Sequence, residues 1–250
     1  MPERVVAITG ASAGIGAATA ELLAREGASV ALIARRPDAL QDVAARCGPS
    51  AMAVVADMTV RDEVRRAVAS ILERFGHIDV WVNNAGQGIT RQPSELTDED
   101  IDDMMRVNVK SALYGMQEVL PHFKARGEGH VINVSSMLGR TPFAVFRSAY
   151  NGAKHFLNAL TANFREELKT THPGIQVSLV SPGVVYTEFG LRARHGGPDS
   201  RGLPQGQTVD AVAAVIASVI STRKPDVYTR PGARQMVLDY FGALGEDPSQ

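Results

Sequence analysis

Short β-branched apolar runs alternate along this chain with longer stretches in which apolar residues recur every three or four positions. The runs at 4–9, 29–34, 51–56, 79–83, 130–135, 176–181 and 226–228 read as seven strands, with helical patterns filling most of the gaps. Strand and helix in strict alternation mean a parallel sheet covered by helices on both faces, and right-handed crossovers make it a doubly wound α/β fold. No repeat, low-complexity tract or linker cuts the chain, so residues 1–250 are expected to form a single domain. The longest segment without a regular pattern is 188–206, which holds five glycines and two prolines. Such a loop is more often functional or mobile than inert.

Composition narrows the class without naming it. The 250 residues are 44% hydrophobic and 21% charged, enough to bury a sizeable core in one large domain. With a formal net charge of −1 and interspersed signs, no basic field exists to hold nucleic acid or an anionic membrane. Small neutral or modestly charged partners are expected instead. Cys47 is the only cysteine, which excludes an intramolecular disulfide and fits a reducing, cytoplasmic location. Met1-Pro2-Glu3-Arg4 leads straight into an apolar strand with no signal-peptide pattern, and the apolar stretch 211–220 is too short to span a bilayer, so a soluble protein is expected. The histidines include no ligand-spaced pair, and no metal site is expected.

Three motifs carry chemistry. The first strand ends in Thr9-Gly10-Ala11-Ser12-Ala13-Gly14-Ile15-Gly16 and a helical pattern starts at once. Gly10 permits a tight turn, Gly14 lets a pyrophosphate approach the backbone, and Gly16 allows close helix packing, with the helix N-terminus favouring phosphate charge. This strand, glycine turn and helix unit reads as the dinucleotide-binding turn of a Rossmann-type sheet, although a lone glycine cluster is also an ordinary flexible turn. After the second strand, where an NAD-binding protein usually places an acid for the ribose hydroxyls, the chain reads Ala34-Arg35-Arg36. A guanidinium there grips a 2′-phosphate, so NADP(H) is the expected cofactor, with the Ser12 hydroxyl adding a contact. Read blandly, the two arginines are solvated charges at a strand end. Finally, Tyr150 and Lys154 stand four residues apart in a helical pattern and share one face. The cation is expected to lower the phenol's pKa from about 10, although a Tyr and a Lys at this spacing are also common on solvated helix faces.

Together these residues resemble the short-chain dehydrogenase/reductases over nearly the whole chain. The glycines have that family's wider spacing, Asn83-Asn84-Ala85-Gly86 ends the fourth strand as its N-N-A-G does, and Ser135-Ser136 ends the fifth before Tyr150 and Lys154. The resemblance implies hydride transfer between NADP(H) and a carbonyl/alcohol pair. Tyr150 is then general acid/base, Ser136 binds the substrate oxygen, Lys154 lowers the phenol's pKa and binds the nicotinamide ribose, and Asn108 holds a water beside the lysine. It places Ile15 at the glycine turn and Asp57 and Met58 at the adenine, although Asp57 alone also reads as a helix N-cap. Asn84, Ala85 and Gly86 lie along the cofactor, and Pro182, Gly183, Val185 and Thr187 lie at the nicotinamide. A homodimer or homotetramer built on the helices of Asn108 and Tyr150 is likewise implied.

One departure matters. The family's serine usually precedes the tyrosine by thirteen positions, which here is Met137, whereas Ser136 lies fourteen before. Keeping Ser136 in the role implies one inserted residue within 140–147, beside Phe143 and Phe146; Ser135 is the alternative. Met137, Leu138, Phe143, Phe146, Tyr186, Phe189 and Leu191 either line an apolar substrate cleft or are core and subunit contacts. Arg192, Arg194 and His195 in the glycine-rich loop either steer an anionic substrate or are ordinary loop charges. Two other functions stand beside the reductase: a catalytically silent NADP-binding sensor or scaffold, and an NAD-preferring alcohol dehydrogenase of the same family.

Overall fold

A computed structural model describes residues 4–245. The reading of Met1-Pro2-Glu3 lies outside them. All seven strands form: β1 (Val5–Thr9), β2 (Ser29–Ala34), β3 (Ala51–Val55), β4 (Val80–Asn83), β5 (Gly129–Val134), β6 (Ile175–Ser181) and β7 (Asp226–Tyr228). They pair in parallel in the order β3-β2-β1-β4-β5-β6-β7. The sequence boundaries shift by one residue at most. For β5 the shift is informative, because Ser135 and Ser136 lie just beyond the strand rather than in it.

Among the described residues eight α-helices flank the strands: α1 (Gly14–Arg25), α2 (Pro37–Cys47), α3 (Arg61–Phe75), α4 (Asp98–Met105), α5 (Ser111–Arg126), α6 (Ser148–Thr171), α7 (Val209–Thr222) and, after β7, α8 (Ala233–Gly242). Side chains alternate across the strands, so each strand feeds two cores. Val6, Ile8, Val30 and Leu32 pack on one face with α1, α2 and α7. Val5, Ala7, Ala31 and Ile33 pack on the other with α3, α5 and α6. Because both faces are covered, β1, β2, β4 and β5 are buried at every position, which is why they read as continuous apolar runs.

The chain crosses from one side of the sheet to the other between β1 and β4, and the crevice beyond their carboxyl ends is the natural ligand site of such a sheet. A polar chain stiffens this junction. Trp81 Nε1 donates to Asn83 Oδ1 at 2.8 Å, Asn83 Nδ2 to Asn133 Oδ1 at 2.8 Å, and Asn133 Nδ2 to Thr161 Oγ1 at 2.9 Å. Every member is buried and bonded, so the network fixes β4 against β5 and α6 without leaving an orphaned amide in it. Among the described residues no helix is long and apolar enough to cross a membrane.

Candidate active site

The glycine turn after β1 is dictated by crowding. Gly10 has φ +66°, and a Cβ there would lie 2.9 Å from Ala85 Cα. At Gly16 a Cβ would come within 2.6 Å of both Asn84 Nδ2 and Gly10 O, so only glycine lets α1 start this close to β4. Asn84 completes the junction: its backbone N–H and that of Ala85 donate to Thr9 Oγ1, at 2.9 and 3.0 Å. The first turn of α1 carries no acidic residue and its N-cap, Ala13, offers no side chain, so the positive helix end faces the crevice uncompensated.

That crevice is a cleft of about 1150 Å³. Gly10, Ser12, Gly14 and Ile15 line its middle, Arg35, Arg36, Asp57 and Met58 one end, and Asn84, Ala85 and Gly86 its floor. Pro182, Gly183, Val185 and Thr187 form the opposite wall, and Ser136, Tyr150 and Lys154 the far end. Gly16 shapes the turn from behind. The residues thus suit an elongated dinucleotide, with a glycine cradle and helix terminus at its middle and cations at one end.

Arg35 and Arg36 point in different directions. The Arg36 guanidinium reaches back to the glycine turn, where Nη2 donates to Ser12 Oγ at 3.1 Å. Arg35 projects outward, 68% exposed, with Nη1 3.9 Å from Asp57 Oδ2. Asp57 is not a helix N-cap, a position held by Val60; its Oδ1 accepts from Thr59 N and Oγ1, each at 2.8 Å.

At the far end the two serines separate. Ser135 Oγ donates to Asn158 Oδ1 at 2.5 Å, turned away into α6. Ser136 Oγ accepts from Leu138 N at 3.1 Å in the tight turn 137–139 and is hydrogen-bonded to Tyr150. The fourteen-residue spacing leaves Ser136 facing the phenol. Asn158 Nδ2 holds Gly139 O at 2.6 Å, so α6 itself braces this turn.

Tyr150 departs from the sequence expectation. Burial pushes its pKa up from 10.0 to about 12, against the opposing pull of the Ser136 hydrogen bond and the Arg147 charge. Lys154 does not lower it. The ammonium lies 5.7 Å from the phenol ring centroid, donates to Val134 O at 3.1 Å, and is itself drawn down from 10.5 to about 8 by burial. Spacing on a helix reports proximity but not desolvation, and here desolvation is larger.

A stability test follows from Lys154. Unfolded chain keeps the lysine proton up to about pH 10.5, whereas the folded, nucleotide-free protein gives it up from about pH 8. Between those values the unfolded state binds more protons, so stability rises with pH. Thermal unfolding followed by circular dichroism should show that rise in the wild type and not in Lys154→Met. The raised Tyr150 pKa has the opposite sign and begins to erode stability above about pH 10.

Asn108 lies in a π-helical turn, Arg106–Lys110, between α4 and α5. Its amide is held by protein: Oδ1 accepts one bond, from Gln87 N at 3.2 Å, and Nδ2 donates to Gln87 O at 2.9 Å and Met104 O at 3.2 Å. The side chain thus clamps the segment after Gly86. A Cβ at Gly86 would stand 2.9 Å from Asn108 Oδ1 and 3.6 Å from Lys154 Nζ, which shows how closely the two groups approach. A π-turn interrupts the regular helix ladder and is a frequent mark of function.

On the substrate side Met137, Leu138, Phe143, Phe146, Tyr186 and Phe189 all line the cleft, whereas Leu191 does not. Phe189 packs edge-on against Tyr150 with centroids 5.5 Å apart. The loop cations are engaged rather than free to steer. Arg192 pairs with Glu188, Arg194 with Asp103 and Asp100, and His195 with Asp100 at 2.8 Å. Asp100 has no exposed surface; burial raises its pKa, but hydrogen bonds from His195, Arg91, Thr97 and Arg194 together hold it well below the carboxylate range. The 188–206 segment is thereby fastened to α4. Sequence reasoning missed Arg147, one helical turn before Tyr150, and Met236 of α8, both of which line the cleft. Position i−3 from the tyrosine was the available signal for Arg147; nothing local marked Met236.

Comparison with known proteins fits this architecture. The short chain dehydrogenase family profile matches residues 4–196. An uncharacterised oxidoreductase of Staphylococcus epidermidis is 35% identical over 198 residues, covering 77% of this chain and 85% of the relative. An alcohol dehydrogenase from Thermococcus sibiricus, solved with 5-hydroxy-NADP, is 29% identical with a TM-score of 0.79, covering 90% of this chain and 95% of the other. A 3-ketoacyl-(acyl-carrier-protein) reductase from Brucella melitensis, solved with NADH, is 26% identical with a TM-score of 0.77 over 90% and 94%. The neighbours thus bind nicotinamide cofactors of both kinds. By its glycine turn, its sheet order and the family match over most of its length, this chain belongs to the short-chain dehydrogenase family of oxidoreductases.

Proposed function

We propose that the protein interconverts a carbonyl and an alcohol with NADP(H), using Tyr150 as general acid/base. The observation that carries this reading is the convergence of Ser136 and Lys154 on a buried tyrosine, in the same cleft that begins at the glycine turn and the Arg35–Arg36 pair. Bound NADPH would supply the hydride, and the chain's own residues manage the proton and the orientation.

In the reducing direction Tyr150 donates its proton to the oxygen on which negative charge grows, and Ser136 hydrogen-bonds the same oxygen. A raised pKa keeps the phenol protonated and ready to donate. Lys154 binds the nicotinamide ribose hydroxyls, and Asn108 keeps the adjoining segment and a proton-relay water in place. Gly10, Gly14, Ile15 and the N-terminus of α1 hold the pyrophosphate. Ser12, Arg35 and Arg36 hold the 2′-phosphate, Asp57 and Met58 the adenine, and Asn84, Ala85 and Gly86 the length between. Pro182, Gly183, Val185 and Thr187 orient the nicotinamide, and Gly16 allows the turn on which all of this depends. One domain carries both cofactor and substrate, working as a cytoplasmic dimer or tetramer. Phe156, half exposed on α6, supports the latter.

NADPH consumption measured across aldehydes, ketones and quinones tests the reading. Turnover of at least one class at rates typical of enzymes is expected; tight NADPH binding with no turnover of any carbonyl would instead make the protein a sensor.

A further inference from the structure

Around the substrate end of the cleft, almost every arginine has a carboxylate. Arg91 pairs with Asp100 at 2.9 Å, Arg194 with Asp100 at 2.6 Å, Arg192 with Glu188 at 2.9 Å and Arg201 with Asp199 at 2.7 Å. Two lack one: Arg230, whose Nη2 donates to Gln205 Oε1 at 3.4 Å, and the buried Arg147. Arg147 is 6% exposed, and among the described residues no carboxylate lies within ion-pair distance of it. Its Nη1 donates to Ile89 O and to Thr90 Oγ1, each at 3.1 Å. Neither Nε nor Nη2 makes a hydrogen bond, neither is fully sealed, and Arg147 lines the cleft, with Nη2 lying beside Gly197.

A buried guanidinium cannot shed its charge as a lysine can, and a charge taken out of water without a counter-ion costs stability. The position is not accidental packing either. Arg147 stands three residues before Tyr150, so the two side chains share one face of α6. Both meet the same aromatic wall: the Phe189 ring lies 5.5 Å from the Tyr150 ring and 6.0 Å from the Arg147 guanidinium carbon. Two further features favour an anion here. The first turn of α6 holds no acidic residue, and its N-cap, Arg147 itself, makes no side-chain cap. Ser148 Oγ, at the first helical position, is engaged in donating to Arg91 O at 2.7 Å.

We propose that Arg147 is the substrate's anion anchor, and that the substrates are oxo acids with an apolar body, the carboxylate held by the Nε and Nη2 fork while Tyr150 addresses the neighbouring carbonyl. The inference rests on the reductase reading. Phe143, Phe146 and Phe189 supply the apolar wall for the body of the substrate. In the reaction the carbonyl carbon takes the hydride of NADPH, its oxygen takes the Tyr150 proton, and the carboxylate leaves unchanged. The products are the hydroxy acid and NADP⁺. Arg147 is thus a specificity-determining residue, and the bound carboxylate supplies the counter-ion the fold omits.

The test compares aryl and alkyl 2-oxo and 3-oxo acids with their methyl esters. Binding is measured by calorimetry to NADPH-saturated Tyr150→Phe protein, which is expected to bind substrate without turning it over, and turnover is measured in wild type. Acids should bind roughly 10- to 100-fold tighter than their esters, the range expected of a charge-assisted fork. Adding Arg147→Gln should abolish that ratio by weakening the acids alone, with KM raised and kcat changed little in the Tyr150 background. Arg147→Lys, which keeps the charge but loses the fork, should retain an intermediate ratio and guards against misfolding of the glutamine variant. Equal affinity of wild-type protein for acids and esters would overturn the proposal, as would Arg147→Gln weakening both alike, the signature of a residue that only ties the 89–90 segment to α6. Failure of the reductase reading looks different: the acid/ester binding ratio would survive while wild-type protein consumed no NADPH with any carbonyl.

Discussion

Tyr150→Phe is expected to lower kcat/KM by about 10³-fold or more while leaving NADPH affinity nearly unchanged. The phenol is buried, hydrogen-bonded to Ser136 and packed against Phe189, so phenylalanine fills the same volume and removes one oxygen. On the proposed mechanism that oxygen delivers the proton to the substrate. Ser136→Ala should cost less, about 10²-fold, because it removes a hydrogen bond to the developing charge and not the proton itself. Steady-state kinetics with fluorescence titration of NADPH separates the two effects. A Tyr150→Phe protein with undiminished turnover would remove Tyr150 from the chemistry altogether. The high phenol pKa also fixes a direction: reduction should persist to alkaline pH, whereas oxidation, which needs the phenolate, should climb with pH until Tyr150 ionises.

What could be read from the residues divides along a physical line. Backbone requirements are local, so Gly10, Gly14 and the seven apolar runs announced the sheet and its phosphate turn directly. Order along the chain also placed Ser136, Tyr150 and Lys154 in one cleft, despite the fourteen-residue spacing between serine and tyrosine. Electrostatics was not legible in the same way. Whether Lys154 acidifies Tyr150 depends on how much water each loses, and that is set by β5, the 137–139 turn and Phe189, none of which the helix spacing contains. The partners of the loop cations were not legible for a related reason. Arg194 and His195 lie more than 90 positions from Asp100, so their pairing is a product of tertiary packing. Arg147 sat in plain view three residues from the tyrosine. Its meaning appeared only when its neighbours proved to have carboxylates and it did not.

Cofactor choice should follow the two arginines after β2 as a pair. In wild-type protein kcat/KM for NADPH is expected to exceed that for NADH by about 10²-fold or more, the worth of charge-assisted contacts to one phosphate. The structure divides that energy unevenly. Arg36 is already drawn towards the glycine turn by Ser12, so its guanidinium is pre-positioned, whereas Arg35 must leave the vicinity of Asp57 and give up more side-chain freedom. Arg36→Gln should therefore lose the larger share of NADPH preference and Arg35→Gln the smaller. Ser12→Ala, which releases Arg36 without touching its charge, should reproduce part of the Arg36 effect. Replacing Arg35 by Asp with Arg36→Gln should reverse the preference, since an acid at that position repels a 2′-phosphate and can bond the free ribose hydroxyls of NADH. Parallel kinetics with the two cofactors decides it. A wild-type preference for NADH would show that both arginines are solvated strand-end charges, and that the positive end of α1 holds the pyrophosphate without their help.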